Sequence, residues 1–380
     1  MTGAVDGIKY FLTPTWDKMS DVMTWRKAAG QMFFSLSVSW GGLIMFGSYN
    51  KFHNGVYGDA LFVSICDTVT SILGGITIFS ILGNMAHELD TKVDEVAGSG
   101  GFGLAFMVYP QALASLPAPQ FWTIIFFFML FTLGLDSEFA LLETVITGFS
   151  DEWPRIFRAN KALVCGGMAL FCFLLALPCT CQAGGLVTDL LDTYGGGFVV
   201  LFIAFTECMT LMWVYGFWNF SKDCKLMLGF EPNFYWLFTW TIAAPVLLLF
   251  LFIYSLVDYS PMDGLPAWGD GIGWIFAAII MLTIVLYPIV QVVLGLMSGR
   301  YESFRDAGWR LIRPESNWGP ADKELQVQRY TDPEFSEHWK WLPACIKDKE
   351  RNFKNEFQME MSHRPKNPHV NKGFQQVDEP

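Results

Sequence analysis

Five carboxylates stand inside long apolar runs: Asp67, Asp136, Glu138, Glu143 and Glu207. An ionised group is expensive to keep among Leu, Ile and Phe, and inside a membrane it usually marks function. No Lys or Arg falls within the same runs, apart from Lys51 at one end, so no neutralising partner is visible. Asp136 is followed by Ser137. A carboxylate, a hydroxyl and backbone carbonyls make an all-oxygen shell suited to a hard monovalent cation. The plainer reading is a protonated or hydroxyl-bonded side chain that joins neighbouring helices, and it fits Glu143 as well as the functional one. Asp67 is followed by Thr68 and Ser71, and the spacing of four puts Asp67 and Ser71 on one helix face. Two such patches on different segments point to one shared central site.

The run SLSVSWGG at 35–42 is the second unusual feature. Ser competes with the helix for backbone hydrogen bonds, and Gly adds conformational freedom. The helix is expected to break there. Broken backbone at mid-membrane survives where it lines a cavity, and broken helices of secondary transporters bind substrate and ions with their free carbonyls and helix ends. A seam of small residues packed against another helix is the alternative. Trp40 would form an aromatic wall of the pocket.

These groups must be positioned by membrane-crossing helices. Of the 380 residues, 52% are hydrophobic and only 16% charged, against about 25% charged in soluble domains. Residues 300–380 hold 14 Lys and Arg and 14 Asp and Glu, so residues 1–299 carry the whole net charge of −11. That pattern excludes a disordered chain, an ordinary soluble enzyme and, lacking a basic stripe, a nucleic-acid binder. Seven apolar segments are long enough to cross a bilayer, which takes roughly 20 helical residues: 31–52, 59–86, 120–149, 161–181, 198–220, 234–257 and 272–298. The alternation of a membrane β-strand is absent. The eight cysteines lie mostly in apolar runs, and Cys179 and Cys181 have no second pair at zinc spacing.

Lys and Arg fix the expected sides. Lys51, then Arg155, Arg158 and Lys161, then Lys222 and Lys225, then Arg300, Arg305, Arg310 and Arg313 follow alternate segments. The opposite connections carry only Lys92, with Asp189, Asp192, Asp258, Asp263 and Asp270. Residues 1–30 are thus expected to be extracellular, 31–298 to form the seven-helix region with a long outer lid loop at 87–119, and 299–380 to be a cytoplasmic tail, partly disordered. The sequon at Asn219 would face the cytosol unmodified.

Several motifs are specific to one family. QMFFSLSVSWGGLIMFGSYNKF at 31–52 resembles the sixth helix of sodium- and chloride-coupled neurotransmitter symporters, solute carrier family six. DALFVSICDTVTSILGG from 59 resembles the seventh, GLAFMVYPQAL the fourth outer loop, and MLFTLGLDSEFALLETVITGFSDEWP the eighth. DCKLMLGFEP and SNWGP also match, and SLSVSWGG looks closest to the glycine and neutral amino-acid branch. The resemblance implies an all-α membrane protein with part of the inverted-repeat, leucine-transporter-like fold. It implies sodium-coupled, chloride-assisted symport of a small amino acid or related amine across the plasma membrane, with no cofactor, no covalent chemistry and room for a homo-oligomer. Carried over by position, the Leu133 carbonyl, Asp136 and Ser137 belong to one sodium site, and Ser35 and Asp67 to the other. Gln31, Ser35 and Ser71 match chloride ligands. Ser37, Trp40, Ser137 and Glu138 line the matching substrate pocket, Phe34 is the aromatic lid, and Asp192 is the acidic half of the outer gate.

The chain departs from that pattern in three ways. Asp67 replaces an Asn of most vertebrate relatives and adds negative charge beside the anion site. Glu138 replaces a neutral residue and would favour a cationic or amine-bearing substrate. The family has twelve helices, and this chain begins just before the sixth, so it is expected to be part of a longer product and not to transport alone. The rivals are a seven-helix receptor and a non-transporting membrane scaffold. Against the receptor stand the broken first segment and the absence of D-R-Y and N-P-x-x-Y motifs.

Overall fold

The computed structural model describes residues 3–97, 106, 109–114, 118–158, 160–262, 264–299, 301, 303–312, 319, 320, 322 and 325. Its elements are all helical, with no strand among the described residues. In chain order they are α1 (Ala4–Leu12), α2 (Val22–Ser35), α3 (Gly42–Ser48), α4 (Val56–Glu88), α5 (Val93–Ala97), α6 (Tyr109–Ala114), α7 (Pro119–Glu152) and α8 (Pro154–Phe157). There follow α9 (Lys161–Ala176), α10 (Gly184–Leu191), α11 (Phe198–Met209), α12 (Phe217–Leu228), α13 (Phe234–Phe238), α14 (Ala244–Val257), α15 (Ala267–Met297) and α16 (Phe304–Ile312).

Six continuous stretches are long and apolar enough to cross a bilayer: Val56–Glu88, Pro119–Glu152, Lys161–Thr180, Gly184–Leu228, Phe234–Val257 and Ala267–Met297. The remaining expected span, 31–52, is α2 and α3 with a break between them. The apolar faces are largely uncovered by the chain itself, as with Leu163 at 77% and Phe128 at 68% exposure, which is the arrangement a lipid solvent permits.

One expectation changes. The stretch 182–197, read as a connection, is helical: α10 runs through the π-turn Asp192–Gly197 into α11. Packing overrides its glycines, because Tyr194 is fully buried and anchors the turn. Residues 1–30, for which the sequence predicts no element, carry α1 and the start of α2. Gly7 of α1 sits directly on the backbone of Phe79 and Gly83 in α4, Phe11 stacks on Phe79 at 5.0 Å between ring centroids, and the Tyr10 hydroxyl donates to Asp94 of α5. That bond holds the Tyr10 phenol above its ordinary pKa. The glycine run at 98–103 and the tail beyond 325 lie outside the described residues.

The chain divides into two compact units, Met1–Glu207 with Ala243–Val285, and Cys208–Ile242 with Leu286–Pro380. One core of the first unit gathers Tyr194, Phe198, Val199 and Ala277. In the second, the Trp240 ring meets Trp236 at 4.8 Å and Phe220 at 5.6 Å, and Trp213 Nε1 donates to the Thr241 carbonyl at 3.0 Å. Asn219 is buried there, its amide donating to the Tyr215 carbonyl at 2.8 Å.

Candidate functional site

The site begins where α2 stops. Ser37, Ser39 and Gly41 take left-handed backbone conformations, with φ of 50°, 64° and 78°. Each left-handed non-glycine residue costs roughly 1–2 kcal/mol, and such strain collects at functional positions. The amides of Ser37 and Val38 fold back to the carbonyls of Phe34 and Phe33 at 3.1 and 2.9 Å. The helix restarts when Met45 N reaches the Gly41 carbonyl at 2.9 Å. A Cβ at Gly41 would lie 3.1 Å from Thr144 Cγ2, so the turn is set close against α7. The break expected from SLSVSWGG is therefore present.

Beside it, Ser35 Oγ donates to Asp67 Oδ1 at 2.5 Å, joining the last residue of α2 to α4. These two residues, named from sequence for one cation site, do meet. Gln31 lies one turn back from Ser35, and Ser71 one turn on from Asp67. On α7, Ser137 Oγ donates to the Leu133 carbonyl at 3.3 Å. Leu133, Asp136, Ser137 and Glu138 are all exposed. No hydrogen bond or ion pair among the described residues joins this set to Ser35 and Asp67.

A cavity of about 750 Å³ collects four other named residues, Gln31, Phe34, Trp40 and Asp192, with Arg26 and Lys27. Gly196 makes the wall close-fitting: a Cβ there would meet Asp192 Oδ1 at 3.3 Å and the Trp40 ring at 3.7 Å. Ser37 is exposed in the broken turn and does not line this cavity.

The view that no cation pairs with the carboxylates is corrected at Glu143. Lys161 Nζ donates to Glu143 Oε1 at 2.6 Å, and the Tyr49 hydroxyl donates to the same oxygen at 3.0 Å. Lys161 is the first residue of α9, and sequence reading counted it only as a loop charge. The signal was available: a short connection returns the chain beside the α7 end that carries Glu143. Glu207 lies beside the Ser39 hydroxyl, which is buried and outside hydrogen-bonding geometry. Seven described cysteines are free thiols. Among the described residues no cluster of three metal-ligating side chains occurs.

The model of the sodium:neurotransmitter symporter family matches residues 1–294. The chain belongs to the sodium:neurotransmitter symporter family. It is 41% identical over 335 residues to the sodium- and chloride-dependent glycine transporter 1 of Xenopus laevis, covering 87% of this chain and 52% of that protein. To the sodium-dependent serotonin transporter of Drosophila melanogaster it is 41% identical over 323 residues, 84% of this chain and 51% of the relative. To the human sodium- and chloride-dependent neutral and basic amino acid transporter B(0+) it is 39% identical over 344 residues, 87% and 52%. The chain thus spans about half the length of the curated relatives it matches. Every site residue named from sequence falls inside the family match, and this symporter-family chain is an all-α, multi-pass membrane protein. The seven-helix receptor reading gives way to that membership.

Proposed function

We propose that this chain forms part of a sodium-coupled symporter that carries a small amino acid or related amine across the plasma membrane, assisted by chloride. The observation that carries the reading is the broken turn at 36–41 with the Ser35 and Asp67 contact beside it. Strained open backbone next to a carboxylate gives carbonyl and carboxylate oxygens to a cation that has shed its water. One sodium ion is assigned to Ser35 and Asp67, and a second to the Leu133 carbonyl, Asp136 and Ser137. Chloride falls to Gln31, Ser35 and Ser71, and substrate to Ser37, Trp40, Ser137 and Glu138. Phe34 and Asp192 gate the cavity, whose mouth is the outer side. Two contacts support the assignment of sides: Arg26 meets Asp258 at 3.4 Å, both expected outside, and Tyr49, Glu143 and Lys161 meet at an end expected inside. Transport makes and breaks no covalent bond, so these are binding and gating groups.

The reading is tested in a fusion that adds the portion of Xenopus glycine transporter 1 that this chain does not span. There, Asp136→Asn is expected to raise the sodium concentration for half-maximal uptake roughly tenfold or more, because an amide keeps an oxygen but loses the charge that offsets the ion's dehydration. The protein should still reach the cell surface. Unchanged sodium activation removes Asp136 from the site.

Asp67 makes a separate prediction. A carboxylate supplies negative charge that the anion otherwise provides, so chloride dependence should be weaker than in Asn-bearing relatives, and Asp67→Asn should increase it. Uptake is compared in chloride and in gluconate. Abolition of uptake by gluconate in the unmutated fusion refutes this role for Asp67.

A further inference from the structure

The connection that follows α14 grips two elements with adjacent residues. Asp258 Oδ2 accepts from Arg26 Nη1 at 3.4 Å, near the start of α2. Tyr259 shares a hydroxyl–hydroxyl hydrogen bond of 2.5 Å with Tyr194, in the turn that begins at Asp192. The Tyr194 hydroxyl in turn donates to Asp270 Oδ1 of α15 at 3.0 Å, which leaves Tyr259 to donate to Tyr194. Trp274 backs both rings, at 5.8 Å from Tyr194 and 5.1 Å from Tyr259. Gly273 leaves room for them, since a Cβ there would fall 2.3 Å from the Tyr194 ring. Arg26, Asp258 and Tyr259 line the same cavity as Phe34 and Asp192.

We infer that Asp258 and Tyr259 form a clasp, two positioning residues that hold the start of α2 and the Asp192 turn at one spacing, so that the cavity between them widens only when the clasp lets go. The physics is a division of labour. The tyrosine side is anchored: Tyr194 is fully buried, its hydroxyl is satisfied twice, and it moves only if the core around Phe198 and Ala277 moves. The Arg26 side is the releasable one. Its side chains are 28% and 35% exposed and the contact is long, so water competes for it and the link is weak. The elements that carry Phe34 and Asp192 are therefore coupled through one rigid joint and one soft joint. The clasp deepens the gating role proposed for those two residues and rests on it.

The test needs no flux, which keeps its failure separate from a failure of the transport reading. Val200 lines the cavity and is buried. In the fusion described above, reconstituted in nanodiscs, Val200→Cys is reacted with a water-soluble maleimide and read peptide by peptide. Asp258→Asn, which removes the charge, and Tyr259→Phe, which removes the hydroxyl, each with little change of shape, should each raise the labelling rate roughly fivefold. Exchanging the charges, Arg26→Asp with Asp258→Arg, should return the rate toward that of the single cysteine. Rates within twofold of the parent in both single variants overturn the clasp.

Discussion

Expressed alone, the 380-residue chain is expected to give no sodium-dependent uptake above an empty control, whereas the fusion to the unspanned portion of glycine transporter 1 is expected to give it. The reason lies in where the site residues sit. Asp136 and Glu138 are exposed on α7 and have no hydrogen-bond or ion-pair partner among the described residues. The Ser35 and Asp67 contact supplies two ligands where a dehydrated cation needs a full oxygen shell. An ion with half a shell does not recover its lost hydration. Carboxylates turned toward hydrocarbon add about 3 kcal/mol each on insertion scales, so poor folding and retention in the endoplasmic reticulum are also expected. Uptake of labelled glycine, alanine and a panel of amines into vesicles that contain only the purified chain decides the matter. Saturable, sodium-driven uptake there would mean that several copies together build a complete site.

Gly83→Val should release α1 from α4. A Cβ at Gly83 falls 2.5 Å from the Gly3 carbonyl oxygen and 2.6 Å from Gly7 N, and one at Gly7 falls 1.8 Å from the Phe79 oxygen. These neighbours are backbone, so no rotamer change relieves them, and the penalty is at the upper end of overpacking, about 3 kcal/mol or more. Docking is read from crosslinking of Tyr10→Cys to Asp94→Cys by a bifunctional maleimide that spans about the reach of the two native side chains, which are hydrogen-bonded. The crosslink should form readily in the parent and be lost, at least tenfold, with Gly83→Val. Equal crosslinking in both would show that the two backbones are not in contact.

Long apolar runs made most of the architecture legible. The predicted segment 234–257 and the observed Phe234–Val257 coincide, because polar residues bound that run on both sides. The broken turn was legible as well, because three serines and two glycines leave a helix little to hold it. What escaped was set by distant contacts. The glycines at 195–197 read as a loop until Tyr194 is seen buried among Phe198 and Ala277. Gly7 fell in a stretch expected only to be extracellular, and the α4 backbone it touches is what explains it. Periodicity reports what one element presents; it is silent on which element arrives to meet it.

The seat of α1 also imposes an order on synthesis. Tyr10 finds its partner 84 residues further along the chain. At a translation rate of about 5–20 residues per second, roughly 4–17 seconds separate the two leaving the ribosome. For that interval the Phe11 ring has no Phe79 to stack on, and the Gly7 backbone lies bare. An amphipathic helix in that condition is a substrate for chaperones or for the bilayer surface, and it docks only after α4 has crossed. The seating of α1 thus waits for the completion of α4, and it can be finished well before the later helices exist.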